Sequence, residues 1–348
     1  MCYFDYALYK RAKKITFILN IAAPLIIIGY LFFYAFTPQS FKYEKPKIIT
    51  ISEGDSLKKV TFRLYRKELI NNPYLFYFIG FITGYSRYIQ AGAYYVSIDQ
   101  SPADVYHEFV NGKIATAKII VPPGSNIFEI ASILSKHKIT GKKPFLKECF
   151  DKKFLLSIKV DAKSAEGFLY PDTFIFKINS KPQSVIKEMV SDFFKKTKNL
   201  KPALNYKNLI IASLIIKEAD EKKQKTAAII SSVIHNRLKI NMPLDIDSSS
   251  IYAKNLIVYK KYFRSADKFK LFLHIQPQYL KIKSPYNTYL NYGLPPTPIA
   301  NPNLEAIRLA MNPPKTKYLY YISAKSGRTI FSANLAGQIK NIDKYLKK

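Results

Sequence analysis

The sequence predicts an α+β protein that begins with a single transmembrane helix, and three observations support that prediction. Residues 15–36 form an uncharged stretch of 22 residues, which is enough to cross a hydrocarbon core of about 30 Å. Beyond it, short apolar runs alternate with turn and capping residues, a pattern typical of short strands and helices. The chain has 348 residues, of which 48% are hydrophobic, so two or three domains with buried cores are expected.

The flanks of the apolar stretch indicate an uncleaved anchor. Four basic residues precede it, namely Lys10, Arg11, Lys13 and Lys14. The positive-inside rule then assigns residues 1–14 to the cytoplasm as a basic tail and places the rest of the chain outside. A cleaved signal peptide is the alternative, but the sequence around Tyr34–Pro38 lacks the small-x-small cleavage pattern. Residues 37–47, polar and with two prolines, are predicted to be a linker.

Composition excludes several classes of protein. The 55 Lys and Arg residues against 24 Asp and Glu give a net charge of +31, which suits an anionic partner. The basic residues are spread evenly and form no stripe with interleaved aromatics, so we expect no nucleic-acid partner. Two cysteines are too few for a disulfide scaffold or a cysteine-rich zinc site. The glycine-rich motifs of nucleotide-binding proteins are absent from the sequence.

Periodicity and turn residues predict the elements of the first half of the outer part. They are a strand over 48–51, a helix from Leu57, a helix over 74–82, a strand over 91–96, a helix over 102–110, a strand over 118–121 and a helix over 127–137. The strand, Gly-containing turn and helix of residues 48–64 resemble those of residues 118–137, which suggests an internal repeat. The alternative is that strand–turn–helix units are simply common.

The composition of the sequence changes from Asn208 onwards. Residues 209–216 are apolar nearly all round, which predicts a buried helix. Residues 241–300 are rich in Pro, Asn, Asp, Ser and Tyr and are predicted to be long and irregular. The other predicted elements are a helix over 223–238, a helix over 303–311, strands over 318–323 and 329–332, and a closing helix over 333–346.

Glu218 is the candidate general acid. It follows the apolar run and ends the predicted helix, where burial and the negative end of the helix dipole would both raise its pKa. A glutamic acid that stays protonated towards neutral pH can donate a proton to a leaving group. The alternative is a solvated helix end, because Lys217, Asp220 and Glu221 are adjacent.

Three other segments combine carboxylates, amides and aromatic rings. They are residues 166–173 (EGFLYPDT), residues 236–247 (NRLKINMPLDID) and residues 284–302 (SPYNTYLNYGLPPTPIANP). Aromatic faces beside hydrogen-bonding groups suit sugar rings, and prolines stiffen the loops that would position them. The alternative is a set of ordered turns and loops that only cover the core.

These segments together resemble the endolytic murein transglycosylases of the YceG-like (MltG) family over essentially the whole chain. The family's E-G-x-x-x-P-D-T matches Glu166–Thr173, and its A-S-[IL]-[IV]-E-K-E matches Ala212–Glu218 except at one position. Its N-R-L…G-M-P-L-Q-[ST]-D matches residues 236–247 in part. Its S-P-Y-N-T-Y…G-L-P-P-x-P-I-x-N-P matches residues 284–302, and this motif is nearly diagnostic.

The resemblance implies an architecture and a reaction. It implies a LysM-like α+β domain at 48–117 and a mixed α/β catalytic domain at 118–348. The expected enzyme is a lytic transglycosylase that cleaves the β-1,4 bond between N-acetylmuramic acid and N-acetylglucosamine and leaves 1,6-anhydro ends. It would limit strand length, be anchored in the cytoplasmic membrane, need no metal or cofactor, and work beside peptidoglycan synthases.

The resemblance also assigns residues. The second acid of E-K-E, the family's catalytic glutamate, falls on Glu218. The candidate glycan-binding residues are Asp247, Asn287, Tyr289, Glu166, Tyr170 and Asn236. For each of them the alternative is a role in stabilising a loop.

Three departures from the family pattern bear on activity. The first acid of E-K-E is Ile216 here, which we expect to dry the site and raise the pKa of Glu218 further. Ser248 stands where proline is usual, and residues 327–332 lack the histidine of the family's G-H-x-F-S. The alternative function is therefore a non-catalytic peptidoglycan-binding scaffold of the same fold.

Overall fold

The computed structural model describes residues 2–219, 224–261, 271–324 and 326–346, with side chains from Tyr9 onwards. The helices are α1 Cys2–Phe36, α2 Leu57–Arg66, α3 Pro73–Ile82, α4 Pro102–Val110, α5 Ile127–Lys136, α6 Lys142–Cys149, α7 Lys152–Ser157, α8 Pro182–Thr197, α9 Tyr206–Glu218, α10 Gln224–Lys239, α11 Asp247–Lys261, α12 Leu304–Met311 and α13 Leu335–Tyr345. The strands are β1 Lys47–Ile51, β2 Gly92–Val96, β3 Thr116–Ile120, β4 Thr173–Lys177, β5 Tyr320–Ser323 and β6 Thr329–Ser332. The chain divides into two units, Met1–Thr116 with Lys177–Asn179, and Ala117–Phe176 with Ser180–Lys348.

Helix α1 carries the predicted apolar stretch. Its segment Tyr9–Phe36 has 28 residues with none of the most apolar window buried, and at 1.5 Å per residue it is about 42 Å long. It is long and apolar enough to cross a membrane. Near its end, Tyr34 and Ala35 pack against the core of the first unit, so α1 runs directly into that unit.

The first unit is built around the antiparallel pair β1–β2. Ile49 lies opposite Tyr94, and both side chains are fully buried. Ser56 caps α2 by accepting from the Lys59 N–H, and Ser101 caps α4 in a reciprocal capping box with Asp104. The helices bury their apolar faces on this sheet, which gives the unit a core of its own.

The predicted repeat appears in the order of the elements. In the first unit a strand, two helices, a strand and a helix follow one another as β1, α2, α3, β2 and α4. The same order recurs in the next stretch of chain as β3, α5, α6, β4 and α8, with α7 inserted, and β3 pairs with β4. Gly54 and Gly124 occupy equivalent turns at φ of +81° and +78°. This shared order supports the internal repeat.

The rest of the second unit surrounds α9, whose residues Leu209–Ile215 are all buried as predicted. Helices α10, α11 and α12 pack on α9, and the antiparallel pair β5–β6 is joined by α13. The prediction that residues 241–300 are irregular is wrong in part, because α11 lies within them. Burial of Tyr252, Ala253 and Tyr259 outweighs the loop-favouring Ser and Asn residues of this helix. The predicted start of α10 at Lys223 lies outside the described residues.

A buried pair, Glu166 and Asn301, joins three segments of the second unit. The Asn301 side-chain amide donates to Glu166 Oε1 and to the Ser125 carbonyl, both at 2.9 Å. Its Oδ1 accepts from the N–H groups of Gly167 at 2.8 Å and Leu169 at 2.9 Å. Both side chains are fully buried. Asn301 therefore fastens the segment before α5 and the segment before β4 to the proline-rich segment before α12.

The packing around this pair explains the glycine that follows Glu166. Gly167 has φ of +89°, and a Cβ there would lie 2.6 Å from Pro298 Cγ. Any side chain would therefore push the proline-rich segment away. Glu166 Oε2 accepts from the Ile127 N–H at 3.1 Å, which also ties it to the start of α5. Burial, the largest effect, raises the pKa of Glu166 to about 8.

We predict that Glu166 makes the protein less stable as the pH rises from about 5 to 8. In this range the unfolded carboxyl has lost its proton while the folded one keeps it, so the folded state binds more protons and the free energy of unfolding falls with rising pH. One group contributes at most about 1.4 kcal/mol per pH unit. Glu166→Gln should flatten this slope in urea unfolding of the full chain in micelles, followed by circular dichroism.

The exposed Glu53→Gln serves as the matched control and should keep the slope of the unsubstituted protein. Equal slopes for Glu166→Gln and the unsubstituted protein would show that the Glu166 carboxyl does not hold its proton across this range.

Candidate active site

Glu218 is the last residue of α9, where the buried part of the helix reaches the surface. Asn205 caps the helix by accepting from the Asn208 N–H. Ser213, fully buried on α9, accepts from the Ile299 N–H at 3.1 Å and so seats the proline-rich segment on the helix. The Glu218 side chain is half-buried. It is therefore held by a rigid element while part of it stays open to solvent.

Two hydroxyl groups hold the Glu218 carboxyl, one on each oxygen. Ser248 Oγ donates to Oε1 at 3.0 Å, and Tyr321 Oη donates to Oε2 at 2.9 Å. Ser248 comes from the first turn of α11 and Tyr321 from β5. Three separate elements thus meet at one carboxyl group.

The surroundings of Glu218 favour its protonated form. Its pKa is raised, chiefly because burial disfavours the charged carboxylate, and the negative charge of Asp247 adds to the effect. The hydrogen bonds from Tyr321 and Ser248 act in the opposite direction, since they stabilise the ionised form. Glu218 thus has the environment of a general acid.

The first turn of α11 is fastened to the segment of residues 287–289. Tyr289 Oη donates to Asp247 Oδ1 at 2.6 Å. Thr288 Oγ1 accepts from the Ile246 N–H at 2.9 Å, and Ser250 Oγ donates to Asn287 Oδ1 at 3.0 Å. Two of the segments singled out in the sequence therefore meet beside Glu218.

Arg237 braces the opposite side of this turn. Its Nη1 donates to the carbonyls of Pro243 at 3.0 Å and Leu244 at 2.9 Å and contacts Asp245 Oδ2 at 3.2 Å. Its Nε donates to the Leu319 carbonyl, one residue before β5. Because it joins the chain before α11 to the chain before β5, Arg237 fixes the separation of the two hydroxyl groups that hold Glu218.

The structure brings together three of the predicted site residues, Glu218, Asp247 and Tyr289. Asp247 is exposed and Tyr289 is half-buried, so both are accessible to a ligand. The charge of Asp247 acts on both Glu218 and Tyr289. This open cluster is the candidate active site.

The other four predicted residues hold the structure in place, and the expectation that they contact a glycan is not supported. Glu166 and Asn287 are fully buried. The Asn287 amide donates to the carbonyls of Leu280 and Ile282, both at 2.9 Å. A side chain with no exposed surface, whose polar atoms are all hydrogen-bonded within the fold, has no group free to bind a sugar.

Tyr170 and Asn236 are likewise used within the fold. Tyr170 is 8% exposed, and its Oη accepts from the Leu304 N–H at the start of α12. The Asn236 amide donates to the carbonyls of Thr316 and Tyr318, both at 2.9 Å. These bonds position the chain that leads into β5.

Sequence reasoning missed the two hydroxyl groups. Tyr321 was predicted only as part of a strand, and nothing in its local sequence pairs it with a glutamate 103 residues earlier. Ser248 stands where the family usually has proline. This difference was the available signal of its role, because proline has no hydroxyl group that could donate a hydrogen bond.

The expected influence of Ile216 on Glu218 is not borne out by the geometry. Residues two positions apart in a helix are separated by about 200° around its axis, so the Ile216 and Glu218 side chains point in different directions. The Ile216 side chain approaches Gly124, where a Cβ would lie 3.5 Å from it. Lys217, which lies between Ile216 and Glu218 in the sequence, donates from Nζ to the Gly124 carbonyl at 3.3 Å. Ile216 therefore packs on the turn before α5 and does not line the carboxyl site.

Comparison with known proteins gives the family. The profile of the YceG-like family matches residues 49–344. The chain belongs to the YceG-like family. It is 27% identical to the endolytic murein transglycosylase of Bacillus subtilis, over 92% of this chain and 91% of the relative. It is 26% identical to the endolytic murein transglycosylase of Streptococcus pneumoniae strain D39, over 97% of this chain and 66% of that longer protein.

A solved structure is also similar. The crystal structure of a YceG-like protein from Listeria monocytogenes matches with a TM-score of 0.54 and 28% identity. The match covers 86% of this chain and 99% of that one. The family membership predicted from the motifs is thus confirmed both by sequence and by fold.

We predict that two substitutions beside Glu218 shift its pKa in opposite directions. Tyr321→Phe removes a hydrogen bond that stabilises the ionised form and should raise the pKa further. Asp247→Asn removes a neighbouring negative charge and should lower it. The measurement is a pH titration by NMR of protein labelled with ¹³C at the glutamate carboxyls, with Glu218 assigned from its loss in Glu218→Gln.

Tyr292→Phe, at a tyrosine that is 65% exposed, is the matched control and should leave the Glu218 titration in place. If Tyr321→Phe and Asp247→Asn shifted the titration in the same direction, the assignment of opposing effects to these two groups would be refuted.

Proposed function

We propose that this protein is a membrane-anchored endolytic lytic transglycosylase. It would cleave the β-1,4 bond between N-acetylmuramic acid and N-acetylglucosamine within nascent peptidoglycan strands and leave 1,6-anhydro ends, which limits strand length. The observation that carries the proposal is the carboxyl group of the half-buried Glu218, which has a raised pKa and a hydroxyl donor on each oxygen. The relatives named endolytic murein transglycosylase support the same reaction class.

The chemistry needs one acid that later becomes a base. Protonated Glu218 gives its proton to the glycosidic oxygen as the bond from C1 of N-acetylmuramic acid breaks, and N-acetylglucosamine leaves as an alcohol. The C6 hydroxyl of the same muramic acid then forms a bond to C1, and its proton passes to the Glu218 carboxylate. The sugar supplies its own nucleophile, so the activated water of a hydrolase is not required.

The neighbours of Glu218 have defined parts in this scheme. Tyr321 and Ser248 orient the carboxyl and stabilise the carboxylate left after proton donation. Asp247 and Tyr289, bonded to each other and accessible, are the groups we assign to hydroxyls or amides of the sugar. Arg237 holds these elements in register from within the fold.

The proposed domain organisation follows from the resemblance and from the cores. We assign residues 48–117 to a LysM-like glycan-binding domain and residues 118–348 to the catalytic domain, after a linker over 37–47. The separate core around β1–β2 and the larger core around α9 support two domains. Peptidoglycan synthases that supply nascent strands are the partners expected from the family.

We predict the topology of a single-pass protein of the cytoplasmic membrane. Residues 1–14 would lie in the cytoplasm, α1 would span over residues 15–36 and the remainder would lie outside. An alkaline phosphatase fusion after residue 47 should be active, and a fusion after residue 14 should be inactive. An inactive fusion after residue 47 would place Glu218 on the side of the membrane without a glycan substrate.

The reaction itself predicts distinctive products. The full chain in micelles, incubated with uncrosslinked nascent glycan strands, should release fragments whose new ends lack one water relative to a reducing sugar. Mass spectrometry measures this difference directly. Glu218→Gln should reduce the rate by at least about a hundredfold, the lower range for a lost general acid, while Glu53→Gln should leave it unchanged.

Other outcomes would change the proposal in defined ways. Reducing ends would indicate hydrolysis, with Asp247 as the nearby second carboxylate. Strand binding without cleavage would indicate the glycan-binding scaffold. Full activity in Glu218→Gln would refute the assignment of Glu218 as the acid.

A further inference from the structure

Helix α3 is apolar on two faces, although only one of them packs on the core. On the inner face Pro73, Phe76, Ile79 and Gly80 are buried in the first unit. The outer face carries exposed large side chains, namely Tyr74, Tyr77, Phe78, Phe81, Ile82 and, just after the helix, Tyr88. Within α3, the spacing of three and four residues places the exposed side chains along one side of the helix.

This outer face differs from the surface of an ordinary soluble helix. A helix on a protein core normally presents charged and polar residues to water, but the ten residues of α3 include no charge. Phe81 is 65% exposed and Tyr74 is 76% exposed. A contiguous apolar surface of this kind marks an interaction site.

The structure ties α3 to the end of the candidate membrane span. Tyr34 Oη, two residues before α1 ends, donates to the Asn72 carbonyl at 2.8 Å. Asn72 is the N-cap of α3, and its Oδ1 accepts from the N–H groups of Tyr74 at 3.0 Å and Leu75 at 3.1 Å. The start of α3 is therefore held at the level where α1 ends, within the same unit.

The segments that follow α1 and α3 in the sequence have the composition of a membrane interface. In the segment after α1, Phe41 is 86% exposed and Tyr43 is 78% exposed. Basic side chains accompany them at Lys42 and Lys45, and Arg87 follows α3. Aromatic rings at headgroup level and cations that pair with lipid phosphates are the usual anchors of a membrane protein. A helix of about 15 Å is too short to span, so it would lie along the interface.

We propose that the outer face of α3 is a lipid-contact surface that lies in the headgroup region of the membrane spanned by α1. The ligand class is the phospholipid interface, with the aromatic side chains inserted to the acyl boundary and the flanking cations at the phosphates. This inference rests on the membrane anchoring set out under the proposed function. Its consequence is that two contacts, α1 and α3, fix the orientation of the first unit on the membrane.

The sequence contains no tryptophan, so single tryptophans report position without background. The experiment uses the full chain in nanodiscs of phosphatidylcholine and phosphatidylglycerol, with and without bromine at carbons 6 and 7 of the acyl chains. Three variants are compared at exposed positions: Phe81→Trp on α3, Leu25→Trp in α1 and Tyr95→Trp on β2. Circular dichroism checks that each variant is folded.

We expect roughly twofold quenching and blue-shifted emission for Phe81→Trp, because a side chain in the interface reaches 5–10 Å towards the acyl chains. Leu25→Trp should be quenched as a residue within the span, and Tyr95→Trp should show the emission of a tryptophan in water.

Each other outcome overturns the inference in a distinguishable way. If Leu25→Trp is quenched and Phe81→Trp is not, the anchor stands and the α3 contact does not exist. If neither is quenched, the membrane anchoring fails and the α3 contact fails with it. Equal quenching of all three would indicate non-specific adsorption of the unit. An emission of Phe81→Trp that changes with protein concentration alone would assign the face to a second copy of the chain.

Discussion

Asn301 and Glu166 meet in the interior of the second unit, and the position of the Glu218 carboxyl depends on them. The Asn301 side chain holds the segments that precede α5 and β4 against the proline-rich segment before α12. That proline-rich segment is in turn bonded to Ser213 on α9, five residues before Glu218. Loss of the central pair would leave several buried backbone groups unpaired, each at a cost of about 1–3 kcal/mol.

The polar residues of the motifs divide into two kinds, those buried in the core and those at the candidate site. Glu166 and Asn287 look in sequence like Glu218 and Asp247, since all are acids or amides in segments rich in aromatics. Burial distinguishes the first pair from the second, because a polar side chain with no exposed surface makes its hydrogen bonds within the fold. Sequence reasoning could identify Glu218 because an eight-residue apolar run precedes it. It had no comparable signal for the burial of Asn287.

The elements were predictable where the local pattern was strong. Ser101-Pro102 marks the start of α4, which begins there, and the helix predicted over 74–82 begins one residue earlier, at Pro73. Helix α11 was missed, because its Ser and Asn residues favour loops and only long-range burial makes it helical. The bond from Tyr321 to Glu218 joins residues 103 positions apart, so it became visible only in the folded chain.

In the proposed reaction Glu218 donates a proton and then accepts one, and the two hydroxyl groups suit both steps. Burial favours the protonated form of Glu218, whereas a fully exposed carboxyl would already have lost its proton at neutral pH. Donors on both oxygens moderate the effect of burial, since they stabilise the carboxylate form that the proposed reaction passes through between its two proton transfers. A hydroxyl can also turn and accept a hydrogen bond when the carboxyl regains its proton. Ser248 and Tyr321 can therefore partner both states of Glu218, which a lysine or arginine at the same distance could not do.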